Sequence, residues 1–254
     1  MSVTPWRQLI RPATRVRRAR VHNETHQTRS NMVWLFDLDN TLHDTSHKIF
    51  AHISVGMTEA VMECLDVDEQ AARELCRRYW LRYGATMIGL AKHHGVDPHR
   101  FLHRSHDFDV AALVRAPKGL HYKLRQLPGR KVLVTNAPLH YAKAVLDHLG
   151  LLKQFHSIWS VEYMRVHGQY RPKPSTSLMR HILAHEGVHP SRTVLVEDTL
   201  SNLKAARAVG MRTVHVFHPG TPFAHSRKGR PHYVDLRVNQ VSELLVQRRP
   251  LRKP

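Results

Sequence analysis

Four short groups of residues in this chain carry types and spacings that could do chemistry. Asp37-Leu38-Asp39-Asn40-Thr41-Leu42 sets two carboxylates two residues apart, directly after the apolar run Val33-Trp34-Leu35-Phe36. Thr135-Asn136 follows a second apolar run, and Glu197-Asp198 follows a later one. Between them, ahead of a helix-period stretch, stands Arg171-Pro172-Lys173-Pro174. Ordinary turns and caps account for one such Asp, but not for acids, a hydroxyl, an amide and a cation placed after successive apolar runs. The set suits covalent phosphoryl transfer. One carboxylate attacks phosphorus, a second carboxyl protonates the leaving oxygen and then activates water, Mg²⁺ held by acids neutralises the phosphate, and a lysine stabilises the transferring group.

The elements that must position these groups are legible in the periodicity. Short apolar runs at Val33–Phe36, Lys131–Val134, Ser157–Ser160, Thr193–Val196 and Thr213–Val216 read as strands. Helical stretches run from Leu139 to Leu149, from Ser175 to Glu186 and from Thr199 to Val209. They stop at Gly150, Gly187 and Gly210, residues that tolerate the left-handed conformation past a helix end. Alternation of this kind predicts an α/β fold, a Rossmann-like parallel sheet with helices on both faces. Ligands of such sheets bind outside the carboxyl ends of the strands, where all four groups lie.

The interval from Leu42 to Leu120 is too long for one crossover. Ile49, Ile53, Met57, Ala60, Val61 and Cys64 repeat at helical spacing, as do Ala71, Ala72, Leu75, Cys76 and Tyr79. Asp68 is placed to cap the second of these helices, Gly95 ends a third, and Asp97-Pro98 opens a fourth. The expected organisation is a basic extension over 1–30, a core over 31–43 and 121–247, an inserted all-helical cap over 44–120, and a basic tail over 248–254. A last strand is expected at Tyr233–Leu236 and a last helix at Val241–Val246.

At its four motifs the sequence resembles the haloacid dehalogenase superfamily of aspartyl phosphatases. The resemblance spans about residues 33–217. It implies Asp37 as the nucleophile and Asp39 as general acid and base, with its backbone carbonyl also touching the metal. Thr135 and Asn136 would bind the phosphoryl group, Thr41 would support the loop, and Mg²⁺ would be held by Asp37, Asp39 and Asp198 with support from Glu197. Arg171 and Lys173 compete for the cation; the family pattern sets a large apolar helix residue six positions on, which from Lys173 is Met179 and from Arg171 is Ser177, so Lys173 is preferred. Asp39 argues against dehalogenation, which uses no acid for a leaving alcohol. The inserted helices correspond to a type-one cap. Phe50 to Met57, Arg82 to Leu90 and His106-Asp107-Phe108-Asp109 look like the pyrimidine 5′-nucleotidase branch, which implies UMP or CMP as substrate, Tyr83 stacking on the base, and His106 or Asp107 bonding to it. His43-Asp44 replaces the Tyr-Pro of that branch. The alternative substrates are phosphoglycolate or a sugar phosphate.

Composition bounds the remaining classes. The 254 residues carry 39 Lys+Arg against 20 Asp+Glu, a net +19, and are 42% hydrophobic. No apolar run is long enough to span a membrane, and no secretory apolar segment opens the chain, so a cytoplasmic protein is expected. Cys64 and Cys76 are too few for a disulfide framework, and adjacent His93 and His94 lack chelating geometry. Ten of the nineteen charges lie in the two ends, among them Arg15, Arg17, Arg18, Arg248 and Arg249. A reading of another class has these ends bind nucleic acid by counterion release. No aromatic residues interleave with the arginines as a stacking platform requires, which favours solvated arms.

Overall fold

The computed structural model describes residues 32–45, 48–218 and 230–245. Both arginine-rich ends lie outside them. Six parallel strands form the sheet: β1 (Val33–Phe36), β2 (Arg130–Val134), β3 (Ser157–Trp159), then β6 (Thr193–Glu197), β7 (Arg212–Val216) and β8 (Leu236–Val238). A short antiparallel pair, β4 (Arg165–Val166) and β5 (Gln169–Tyr170), stands apart. The spatial order is β3-β2-β1-β6-β7-β8. β1 is thus central, and its residues pair in register with Arg130–Leu133 on one side and Thr193–Val196 on the other. The sheet is buried on both faces, so its strands read as continuous apolar runs rather than alternating ones. Phe36, Leu133, Val194 and Val196 pack into one core with Tyr141, Val145 and Leu146 of helix α7 (Leu139–His148). Leu35, Val132, Val134 and Leu195 pack into the other, with Leu178 and Ile182 of α8 (Thr176–Glu186) and Leu203 of α9 (Leu200–Ala208).

Between β1 and β2 run six helices: α1 (Ile49–Leu65), α2 (Glu69–Tyr83), α3 (Thr86–His94), α4 (Pro98–Ser105), α5 (Val110–Leu113) and α6 (Leu120–Gln126). The first four enclose a core of their own around Val61, Leu75, Tyr79, Met87, Leu90 and Phe101. Local signals act as expected. The Asp68 carboxylate accepts from the Ala71 amide, Asp97 accepts from His99 and Arg100, and Gly95 closes α3 in the left-handed conformation. Gly89 lets α3 approach α2, because a Cβ there would overlap the Tyr79 ring.

Two expectations near the C-terminus need correction. The last strand is Leu236–Val238, shifted from Tyr233–Leu236, since the Asp235 carboxylate is occupied with Arg207 and the Thr213 amide at the head of β7. The residues from Val241 form a 3₁₀ turn to Leu245 rather than an α-helix. The β4–β5 hairpin had no sequence forecast; its turn uses His167 and Gly168, both at positive φ. No helix among the described residues is long and apolar enough to cross a membrane.

Candidate active site

The carboxyl ends of β1, β2 and β6 are adjacent, and each delivers a polar residue to one crevice. Asp37 directly follows β1, its amide bonding to the Val196 carbonyl at 3.0 Å. Thr135 directly follows β2, and Glu197 is the last residue of β6. The loop after β1 folds back tightly. The Leu42 amide reaches the Leu38 carbonyl at 2.8 Å, and Asn40 takes a positive φ of 55°. Asn tolerates that conformation, and its side-chain oxygen accepts from the Thr45 amide at 3.1 Å and hydroxyl at 2.7 Å, holding the turn.

Lys173 comes from the segment leading into α8 and closes the crevice floor. Its Nζ donates to Asp37 Oδ1 at 2.6 Å and to Glu197 Oε2 at 2.7 Å. The Thr41 hydroxyl donates to Asp37 Oδ2 at 3.2 Å, so both oxygens of Asp37 are held. Arg171 is exposed and bonds instead to Gln169, so of the two cations it is Lys173 that the structure places in the crevice. Asn136 positions the lysine segment: its Nδ2 donates to the Lys173 carbonyl at 3.1 Å and its Oδ1 accepts from the Lys173 amide at 3.0 Å. The Thr135 hydroxyl accepts from the Ala137 amide at 3.0 Å, shaping the loop after β2.

Electrostatics at this floor are set by burial. Desolvation and the Glu197 carboxylate push Asp37 up to about 7, against the opposing Lys173 charge. Desolvation likewise takes Glu197 up to about 7, with Asp198 adding to it and Lys173 opposing. Burial works against the Lys173 ammonium, but the two carboxylates outweigh it and hold its pKa above the ordinary lysine value. Asp37, Glu197 and Asp198 each offer a carboxylate oxygen within 4.8 Å of the others. Three buried oxygen donors so close together suit a small hard cation such as Mg²⁺. The Asp39 carboxylate stands outside that cluster. It is held by His43 Nε2 at 3.0 Å and by the Tyr141 hydroxyl at 2.8 Å.

A family model of haloacid dehalogenase-like hydrolases matches residues 34–216. The chain belongs to that family. Among relatives of this haloacid dehalogenase-like hydrolase, N-acetylmuramic acid 6-phosphate phosphatase of Pseudomonas aeruginosa is 27% identical over 201 residues, covering 75% of this chain and 85% of the relative. Fructose-1-phosphate phosphatase YqaB of Escherichia coli is 27% identical over 186 residues, covering 72% of this chain and 94% of the relative. A crystal structure of a HAD phosphatase from Thermococcus onnurineus superposes with a TM-score of 0.58 at 20% identity, over 84% of this chain and 95% of that one, a likeness of fold.

Above the acids of this hydrolase opens a cavity of about 690 Å³, walled by both the sheet ends and the helical insertion. Its upper lining is apolar, with Phe50, Met57 and Met87, while Arg73, Arg77 and Trp80 of α2 border it. His106 lines it too, as the resemblance implies, and burial depresses its pKa to about 4. Tyr83, the expected base-stacking residue, does not line the cavity, and neither does Asp107. Helix register explains Tyr83: residues 79 and 83 lie on the α2 face toward α3, where Tyr83 bonds to His93 Nε2 at 2.6 Å. The face one residue on carries Trp80 to the cavity instead. Sequence reasoning missed Trp80, Arg73 and Arg77, although their spacing of three and four residues marks one helical stripe. Tyr141 had no such signal, being 102 residues from Asp39 in the chain.

Proposed function

We propose that this hydrolase is a phosphomonoesterase acting on a small phosphorylated metabolite through an aspartyl-phosphate, with a pyrimidine nucleoside 5′-monophosphate as the substrate that suits its cavity best. One observation carries the reading: the Asp37–Lys173–Glu197 contact lies at the floor of a cavity whose far wall is apolar and bordered by Trp80 and two arginines. A phosphate would meet the floor. A planar, partly apolar leaving group would meet the wall.

Asp37, oriented by Lys173 and Thr41, attacks phosphorus; the bond to the substrate's leaving oxygen breaks, and Asp39 supplies the proton that oxygen takes up. A water molecule, deprotonated by Asp39, then attacks the phosphorus of the acyl phosphate and releases inorganic phosphate and free Asp37. Lys173 spreads positive charge over the transferring group, and the Thr135 hydroxyl and Asn136 amide border it. Asp37 and Asp198 would hold Mg²⁺, with Glu197 supporting them while bonded to Lys173. The cation, when bound, neutralises phosphate charge. The helical insertion over the crevice serves as a type-one cap that excludes water and reads the leaving group.

A second reading keeps the chemistry and takes a sugar phosphate, favoured by the named substrates of both curated relatives. Phosphate release from UMP, CMP, fructose 1-phosphate and phosphoglycolate, measured with and without Mg²⁺, separates the two. Preference for UMP or CMP supports the nucleotidase, and preference for the sugar phosphate overturns it. Asp37→Asn is expected to abolish release while the protein stays folded.

A further inference from the structure

Asp39 is gripped from two sides, and both grips fall on the same oxygen. His43 Nε2 lies 3.0 Å and the Tyr141 hydroxyl 2.8 Å from Asp39 Oδ1. Among the described residues no hydrogen bond to Oδ2 is made. The two donors come from different parts of the chain: His43 from the same loop, pinned by the Asp44 amide on the Arg115 carbonyl at 2.8 Å, and Tyr141 from the first turn of α7. Both are deeply buried, the His43 side chain fully so and Tyr141 at 0% exposure. The ring centroids of His43 and Tyr141 stand 6.4 Å apart, and Tyr141 is further braced by His106 at 5.5 Å and Phe108 at 6.1 Å. His43 Nδ1 is buried without a hydrogen-bond partner, so among the described residues the ring's one hydrogen bond is the Nε2 contact with Asp39, where the carboxylate oxygen accepts.

We infer that His43 and Tyr141 are positioning residues that saturate Asp39 Oδ1, so that Oδ2 alone carries the proton given to the leaving oxygen and later taken from water. A carboxylate oxygen has two lone pairs; two donors on Oδ1 occupy both, which leaves Oδ2 as the seat of the travelling proton. The grip also stops the carboxyl from rotating between its two equivalent states. An acid and base that acts in both halves of one turnover must keep one oxygen aimed at one point, since small misplacements of a reacting group are costly. The inference rests on the proposed aspartyl-phosphate reading, in which Asp39 is the acid and base.

The test compares p-nitrophenyl phosphate, whose leaving group needs no proton, with UMP, whose leaving alkoxide does. The proteins are wild type, Tyr141→Phe, His43→Leu and His43→Gln, with melting temperature checked for each. In Tyr141→Phe, p-nitrophenolate should appear in a rapid burst approaching one per site and then slow, because attack by Asp37 proceeds while water activation lags. On UMP the same variant should show no burst and a kcat roughly tenfold lower, the cost of one lost charge-assisted contact, with KM within about twofold. His43→Leu should behave alike, and His43→Gln, which keeps an N–H, should recover most of the rate. Unchanged kcat in Tyr141→Phe and His43→Leu, or equal slowing on both substrates with no burst, overturns the inference alone. Wild-type protein that releases phosphate from neither substrate overturns the phosphatase reading, and this one with it. Should His43→Leu not fold, Tyr141→Phe, which removes one oxygen, carries the test.

Discussion

Replacing Lys173 with Met removes the one charge that separates two buried carboxylates, and its cost follows from the geometry. The ammonium sits 2.6 Å from Asp37 and 2.7 Å from Glu197, and the three side chains are 2%, 8% and 1% exposed. Removing one member of a buried pair typically costs about 3–5 kcal/mol, because the remaining charge stays desolvated. At roughly 2–4 °C per kcal/mol for a chain of this size, melting should fall by about 6–20 °C. The pH dependence has a definite sign. Asp37 and Glu197 already sit near 7, above their ordinary values, so the fold holds protons that the unfolded chain has released, and stability falls as pH rises toward 7. Without the lysine both carboxyls move further up. The gap between variant and wild type should therefore widen from pH 5 to pH 8. Thermal melts in chelator, with Glu197→Gln and the double variant, complete the measurement. The double variant should be more stable than the sum of its parts by about 0.5–3 kcal/mol, the range for residues in one network. Equal melting of Lys173→Met and wild type at pH 8, or strict additivity with Glu197→Gln, would refute the reasoning.

Other outcomes follow from separate parts of the molecule. Burial lowers His106 from 6.5 to about 4, so the unfolded chain takes up a proton that the folded one refuses as pH drops through that window. Wild type should lose about 3 kcal/mol between those pH values that a His106→Asn variant does not, at 1.36 kcal/mol per unit; urea unfolding at both ends of the window checks it. Gly89→Ala drives a methyl into the Tyr79 ring between α2 and α3. It should destabilise the fold by roughly 1–3 kcal/mol, read as a lower denaturation midpoint. Asp198→Asn weakens the acidic cluster with Asp37 and Glu197, so half-maximal phosphatase activity should need at least about tenfold more Mg²⁺, while the melting temperature in chelator stays level or rises.

Much of this architecture was written locally. Apolar runs ending in Asp37, Thr135 and Glu197 became β1, β2 and β6 because a strand buried on both faces must be apolar throughout. Helix limits followed Asp68, Asp97, Gly95 and Gly187, whose capping geometry depends on neighbours a few residues away. Forecasts failed where the deciding contact was distant. Asp235 is drawn to Arg207 and Thr213, so the last strand starts later than its apolar pattern suggests.

By itself the sequence determined the order of the main strands and helices, the family and the polar residues at the strand ends, since each is encoded in short-range pattern. Tertiary structure alone decided the partners. Trp80 rather than Tyr83 meets the cavity, and Tyr141 reaches Asp39 across 102 positions of chain. Those pairings depend on the rotation of α2 and the register of β1 between β2 and β6. Both are fixed by packing of whole elements against one another, a collective property that no local stretch of residues carries.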